Sequence, residues 1–500
     1  MVCLILIAVW PLTNYLAANI YNLADYTDVS IIALILVLVA VLTYFVAKKI
    51  LKQSVDRIIL PLFVCTALCF GYADIIERII SLDTIHLTRP LYIYLFTFVC
   101  LVYFAWRISS RNAFRQASKV LVCVVFVVSF AGLIKTILGY RSISMIEAKP
   151  ETLLFQFHHK PNVYYILMDA YARQDTLREI ANYDNESFLK KLEKKGFIVS
   201  RNAWSNYHFT KASLSATMNM SYHNASDKSK LFSPVFMVQS LRGENKVREI
   251  FRQNGYHITN VPAFTNEIGC CGNEDFCINR LAFFEAYQSF LSPTPFRHWL
   301  CSVQYVNLES VKSVDDIAPN KPKFIFIHIA QVHDAVFDES GNFLAPLTSY
   351  NISAGHVSIR YASSIKVMNL KILEFVDYIK TKDPKSIVIV QADHGCRNFP
   401  NNTDINYWMN HHSSYEMSRT VDARNFGIFT AIYLPNYDKN RYKEIRKYFS
   451  GFFTLVNTFR YIFAYLSDKD PMLLPEKAYF LFPDKYSFWY KKSEIDPLIN

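Results

Sequence analysis

Five long apolar runs crowd the first 140 residues, and no other feature narrows the possible folds so sharply. They cover residues 2–23, 29–47, 58–76, 90–108 and 120–138. Each comes near the roughly 20 residues that an α-helix needs to cross a hydrocarbon core. Five such runs in so short a span leave too little polar surface for a water-soluble bundle, so residues 1–139 are expected to form a five-helix transmembrane domain. The first run holds Pro11 and Asn14. It lacks the basic flank and cleavage site of a secretory signal, so it is expected to stay as a helix.

Loop charges orient these spans. Lys48, Lys49, Lys52 and Arg57 lie between the second and third runs, and Arg107, Arg111, Arg115 and Lys119 around the gap between the fourth and fifth. The loop after the first run has Asp25 and Asp28 but no Lys or Arg, and the loop after the third has Arg78 and Arg89. The positive-inside rule puts the two basic loops in the cytoplasm, and an odd number of spans then delivers the rest of the chain outside. The same distribution argues against nucleic acid as a partner. The net charge is +11, but the basic residues cap apolar runs or are scattered, with no stripe interleaved with aromatics.

The cysteines agree with an external second half. Cys3, Cys65, Cys69, Cys100 and Cys123 fall in the apolar runs, where a small apolar side chain explains them. Cys270, Cys271, Cys277 and Cys301 cluster further on, in a CC-x5-C spacing with no nearby His. One or two disulfides of an oxidising compartment suit that pattern better than zinc. The pairing stays open, and so do free thiols.

Residues 140–160 are a polar, partly amphipathic linker, and 161–500 have the pattern of one globular domain. "VYYILM" (163–168), "FIFIHIA" (324–330), "SIVIV" (386–390) and "FTAIYLP" (429–435) are short apolar runs rich in β-branched and aromatic residues. Such runs are strands buried on both faces, as in a parallel sheet. Helical patterns over 185–197 and 365–381 separate them. The alternation predicts an α/β domain with a mainly parallel central sheet.

In open sheets of this kind, ligands bind beyond the carboxyl ends of the strands. The first strand ends in Asp169, the second is followed by His333 and Asp334, and the third runs into Asp393-His394-Gly395. Asp169, Asp393 and His394 make a mixed oxygen and nitrogen set, suited to Zn²⁺ or Mn²⁺ with a position left open. Neighbours on an ideal strand point to opposite faces, so Asp393 and His394 converge only if the strand stops there, with Gly395 easing a turn. The stretch "WSNYHFTKASLSATMNM" (204–220) supplies hydroxyls at Thr210, Ser213, Ser215 and Thr217 at a helix start. A metal beside one of them would make an alkoxide near neutral pH. Helix capping is the plain alternative for the same residues.

Taken in order, these residues resemble the alkaline phosphatase and sulfatase superfamily. The likeness is to its membrane-anchored branch of lipoteichoic acid synthases and phosphoethanolamine transferases. "NVYYILMDAYARQDTL" (162–177) is similar to the opening strand and metal aspartate, "SNYHFTKASLSATMNM" to the nucleophile segment, and "IHIAQVHDAVFD" to the His-containing loop. "TLVNTFRYIF" (454–463) and "MLLPEKAYF" (472–480) resemble the C-terminal signature. The resemblance implies that Asp169, Asp393 and His394 hold one divalent metal ion and that Thr210 is both ligand and nucleophile. It also implies that His333 binds the transferred phosphoryl group or the leaving oxygen. Ala170 stands where relatives often have Gly, and Lys211 and Ala212 where apolar residues are usual. The sulfatase nucleophile motif, Cys or Ser with Pro two residues on and Arg two further, is absent, which argues against sulfate-ester hydrolysis.

The expected activity is transfer of a phosphoglycerol or phosphoethanolamine group from a membrane phospholipid donor to an envelope glycan or lipid acceptor, through phospho-threonine. The catalytic domain would sit outside the cell membrane. An extracytoplasmic phosphodiesterase or phosphatase using water, and a non-catalytic membrane scaffold, are the competing readings. His411 and His412 suit a solvated loop better than a second metal site, Arg397 could meet a phosphate or solvent, and Arg460 is expected in a structural salt bridge.

Overall fold

A computed structural model of the protein describes residues 1–19, 27–49, 55–81, 90–144, 155–223, 231–232, 234–262, 274–278, 290–291, 293–296, 308–312, 317–318, 320–344, 354–396, 425–483 and 490–495. The chain divides into two compact units. One comprises Met1–Glu147 with Leu281–Val303, and the other Ala148–Arg280 with Gln304–Asn500.

The first unit is helical: α1 (Val2–Asn19), α2 (Thr27–Lys49), α3 (Ile59–Phe70), α4 (Tyr72–Ser81), α5 (Pro90–Ile108) and α6 (Asn112–Ser144). Among the described residues, three helices are long and apolar enough to cross a membrane, over Val2–Asn19, Val29–Lys49 and Asn112–Leu138. The third apolar run is divided at Gly71 into α3 and α4. Within the unit, Trp10 Nε1 donates to Ser129 Oγ at 3.0 Å and ties α1 to α6. Leu34, Leu38 and Leu42 on α2, Phe96 and Val99 on α5, and Val124 and Val128 on α6 are exposed. Exposed apolar side chains on three helices suit lipid rather than water. The segment 281–303 joins this unit because Phe290 is buried among Leu12, Tyr15, Val29 and Ile32, and the Pro293 carbonyl accepts from Ala73 N–H at 3.1 Å.

The second unit is built on a seven-stranded sheet of order β2-β9-β8-β1-β7-β5-β6. Its strands are β1 (Val163–Met168), β2 (Ile198–Ser200), β5 (His257–Val261), β6 (Phe276–Cys277), β7 (Lys323–Ile329), β8 (Ile387–Gln391) and β9 (Thr430–Tyr433). The pairs among β8, β1, β7, β5 and β6 are parallel, and β9 runs antiparallel to β8 and β2. Outside it lie the pair β3 (Asn202–Trp204) and β10 (Phe452–Thr454), and a small sheet of β4 (Leu231–Phe232), β11 (Ala478–Pro483) and β12 (Tyr490–Ile495).

Helices cover both faces of the large sheet. They include α7 (Gln174–Ala181), α8 (Glu186–Lys194), α9 (Thr210–Asn219), α10 (Pro234–Leu241), α11 (Lys246–Gln253), α12 (Ala354–Lys382), α13 (Lys439–Ser450) and α14 (Thr458–Leu466). Adjacent tyrosines on β1 show the layering, since successive strand residues face opposite ways. The Tyr164 ring meets Phe375 of α12, whereas the Tyr165 ring meets Phe459 of α14. Ile365, Met368, Ile372, Phe375, Val376 and Ile379 form the buried stripe of α12 at three- and four-residue spacing. Every residue of β1, β7 and β8 is buried. Each large aliphatic there contributes about 1.5–3 kcal/mol by leaving water. The expected α/β architecture with a mainly parallel sheet is present.

Candidate metal and nucleophile site

The parallel register sets the carboxyl ends of β1, β7 and β8 level. Leu167 pairs with both His328 and Gln391, and Met168 with Ile329. Asp169 N–H donates to the Ile329 carbonyl at 2.9 Å, which extends the ladder by one residue and holds Asp169 at the sheet edge. β8 ends at Gln391, and just past it Ala392 N–H donates to the Phe429 carbonyl at 2.9 Å and Gly395 N–H to the Asn425 carbonyl at 2.8 Å. The strand has therefore ended before Asp393, and the bend lets Asp393 and His394 approach one point.

Asp169, Asp393 and His394 are all buried, and one ligand atom from each lies within 4.8 Å of the others. His394 Nδ1 lies 2.7 Å from the Gly395 carbonyl. A carbonyl only accepts, so Nδ1 carries the hydrogen and a neutral ring presents a lone pair at Nε2. That Nε2 lies 3.2 Å from Thr210 Oγ1, 3.4 Å from Asp169 Oδ1 and 3.6 Å from Asp393 Oδ2. Asp393 Oδ1 accepts from Ala170 N–H at 3.2 Å, and Asp169 Oδ2 from His328 Nε2 at 3.1 Å. The other oxygens, Asp169 Oδ1 and Asp393 Oδ2, are buried and accept no hydrogen bond. Two buried carboxylate oxygens left in this way are costly unless a cation meets them. The donor set fits one divalent ion.

Local structure also sorts the four hydroxyls of the nucleophile segment. Thr210 opens α9 and turns its Oγ1 towards His394. Ser213 Oγ donates to the Asp393 carbonyl at 2.5 Å, and Thr217 Oγ1 to the Ser213 carbonyl at 2.8 Å. Ser215 is fully buried. The remaining predicted residue, His333, is half-buried, with Nδ1 2.9 Å from Asp334 Oδ1 and its ring centroid 6.2 Å from that of His394.

Electrostatics follow from this crowding. Burial alone would lower the basicity of His333, but Asp169, Asp334 and Asp393 outweigh it and raise its pKa to about 9. Burial would likewise raise the Asp169 carboxyl, yet the charge on His333 and the hydrogen bond from His328 hold it well below the usual carboxylate range.

Two alanines beside the site carry left-handed backbone, Ala170 at φ 58° and Ala335 at φ 48°. Each follows a site aspartate, and such strain costs an L-residue about 1–2 kcal/mol. At Ala170 the conformation explains why Gly suits the position. Tyr361 stabilises the turn there, donating to the Ala170 carbonyl at 2.6 Å and accepting from Ala172 N–H at 3.0 Å.

The C-terminal signature holds the site from behind. Arg460, expected in a salt bridge, donates to the carbonyls of Met220 at 2.6 Å and Met472 at 2.7 Å. The first of these bonds caps the end of α9, whose last carbonyls need donors. Glu476 accepts from Tyr448, Thr454 and Asn457, and Asn206 bridges Thr454 to the carbonyl of Lys477.

Residue-level reading of the sequence missed two participants. In the sequence His328 is only a polar residue within an apolar strand and Asp334 only a neighbour of His333; the fold brings them to Asp169 and to the His333 ring. Cys277 is disulfide-bonded. Cys270, Cys271, Cys301, Arg397, His411 and His412 lie outside the described residues.

No curated protein matches the chain. Among solved structures, the chain is similar to lipooligosaccharide phosphoethanolamine transferase A from Neisseria meningitidis. Identity is 11% over 94% of this chain and 95% of that one, with a TM-score of 0.43. It is also similar to the C-terminal periplasmic domain of EcEptC from Escherichia coli in complex with Zn, with 13% identity, 70% and 97% coverage and a TM-score of 0.42. The lipoteichoic acid synthase LtaP from Listeria monocytogenes gives 10% identity, 71% and 89% coverage and a TM-score of 0.38. The family described as Sulfatase matches residues 161–422, more than half of the chain. That span carries Asp169, Thr210, His328, His333, Asp393 and His394, and the chain is therefore an enzyme of the sulfatase family.

Proposed function

We propose that the protein is a membrane-anchored, metal-dependent phosphotransferase. It moves a phosphoglycerol or phosphoethanolamine group from a phospholipid to an envelope glycan or lipid. The observation that carries this reading is the approach of the Thr210 hydroxyl to 3.2 Å from His394 Nε2, beside two carboxylate oxygens with no hydrogen-bond partner. Asp169, Asp393, His394 and Thr210 would hold one ion, and Zn²⁺ or Mn²⁺ suits the mixed donor set. When bound, such an ion lowers the pKa of the adjoining hydroxyl and neutralises the carboxylates.

With its hydroxyl proton released to solvent, Thr210 Oγ would attack phosphorus as an alkoxide. The Oγ–P bond forms as the bond from phosphorus to the diacylglycerol oxygen breaks, and His333 hands that oxygen a proton. Asp334 keeps the imidazole in place through its 2.9 Å contact. In the second half, the acceptor hydroxyl gives its proton to His333 and attacks phosphorus, and Thr210 Oγ leaves. The amino end of α9 favours the anionic group throughout, because its first amides lack helical partners. Phosphoethanolamine transferases and a lipoteichoic acid synthase among the similar structures support this substrate class.

The apolar exterior of the helical unit supplies the anchor, which keeps the site near a donor that cannot leave the bilayer. Five spans over residues 1–139, a linker over 140–160 and an external domain over 161–500 are the corresponding topology. The test is mass spectrometry of lipids and protein after incubation with headgroup-labelled phosphatidylglycerol and phosphatidylethanolamine. Diacylglycerol release with label on Thr210 supports transfer. Release of the headgroup phosphate to water with acceptor present would instead establish a hydrolase.

A further inference from the structure

His328 is the one fully buried histidine on a central strand of the described sheet, and a strand interior is a costly place for an imidazole. Along β7 side chains alternate, so Phe324, Phe326 and His328 share one face, where the Phe326 and His328 rings lie 6.5 Å apart. An apolar residue would continue that face at lower cost. The parallel register decides what the imidazole meets. His328 pairs with Leu167, two residues before Asp169, and its Nε2 reaches Asp169 Oδ2 at 3.1 Å. Nδ1 is buried and has no hydrogen-bond partner. The ring is therefore satisfied by one bond, donated from Nε2–H to the carboxylate, which fixes the tautomer.

We infer that His328 is a positioning residue for the metal site: its Nε2–H bond to Asp169 Oδ2 turns the carboxylate so that Oδ1 faces Asp393 and His394. The bond occupies one carboxylate oxygen and leaves the other as a single, directed ligand. The ladder bond from Asp169 N–H to the Ile329 carbonyl fixes the backbone of Asp169 but not the rotation of its carboxylate, so that orientation must come from a neighbouring side chain. β7 is the neighbour in register. Hydrogen-bond partners of metal ligands commonly contribute 10- to 100-fold in metal affinity.

The inference rests on the reading of Asp169, Asp393 and His394 as a metal site. The test is Zn²⁺ affinity of the purified full chain in detergent, measured by chelator competition. His328→Phe removes the donor at similar size and is expected to weaken Zn²⁺ binding by roughly 10- to 100-fold. His328→Gln, whose amide reaches the Nε2 position, should bind within about threefold of the parent. His328→Asn places its amide at the Nδ1 position instead, away from Asp169. It should bind like the Phe variant, and it serves as the comparison if the Phe variant does not fold. A filled strand position without a directing role predicts equal affinity for Gln and Asn, and that result overturns the proposal. A parent chain that binds no Zn²⁺, with Asp393→Asn changing nothing, overturns the underlying metal reading instead.

Discussion

Ser213 Oγ donates to the main-chain carbonyl of Asp393 at 2.5 Å, so the helix that carries Thr210 is fastened to the segment that carries the buried acids. The bond assigns the two hydroxyls different work. Ser213 is spent on backbone, one turn beyond Thr210, whose Oγ1 is aimed at His394. Thr210→Ala should lower activity by roughly a thousandfold or more with the fold intact. Ser213→Ala should instead cost about 1–3 kcal/mol of stability, since it leaves a buried carbonyl without its donor. Intact-mass and peptide analysis of protein trapped with donor should place the adduct on Thr210. An adduct on Ser213 or Ser215 would reverse the assignment.

Metal removal should destabilise the domain as well as stop the reaction. Asp169 Oδ1 and Asp393 Oδ2 are buried without hydrogen-bond partners, so a cation is what would offset their desolvation. A ligand held at a hundred times its dissociation constant contributes about 2.7 kcal/mol. Chelation should therefore lower the melting temperature, and added Zn²⁺ or Mn²⁺ should restore it. Asp393→Asn should abolish the response to added metal. A chelated protein that melts with the untreated one would show that the acids need no ion.

The raised His333 pKa gives the chelated protein a pH signature. A group whose folded pKa lies above its unfolded value contributes stability that is complete below the unfolded pKa and lost as pH rises through the folded one. For His333 those limits are the ordinary imidazole value of 6.5 and about 9. Thermal melts in chelator should fall across that window, and His333→Gln should flatten the fall. Identical profiles for the two proteins would disconnect His333 from the carboxylates.

The topology can be read with reporter fusions. Fusions after Lys52 and Arg115 should report from the cytoplasm, because the basic residues cluster in those two loops. A fusion after residue 150 should report from outside. A cytoplasmic signal there would make the number of spans even and place the catalytic domain away from an external acceptor.

Much of the architecture was legible because burial writes itself into composition. Strands buried on both faces must be apolar throughout, so "VYYILM" and "FIFIHIA" announce a parallel sheet, and the acids that end such runs stand out against them. The order of Asp169, Thr210, His333 and Asp393-His394 along the chain carries the family likeness for the same reason. What a linear order cannot express is which strand lies beside which, and in what register. The pairing of β7 with β1 turns His328 from a core residue into the hydrogen-bond partner of Asp169. The rotation of α9 separates Thr210 from Ser213, although both are small hydroxyls three residues apart. The carbonyls of Met220 and Met472, rather than a carboxylate, receive Arg460. The apolar N-terminal helices, the α/β layout and the residue types at the strand ends could be read from the chain, since they follow from local hydrophobicity and periodicity. Which atoms meet is settled by the folded chain, because a hydrogen bond acts over about 3 Å, here between residues 180 apart in the case of Ser213 and Asp393 and 240 apart in that of Arg460 and Met220.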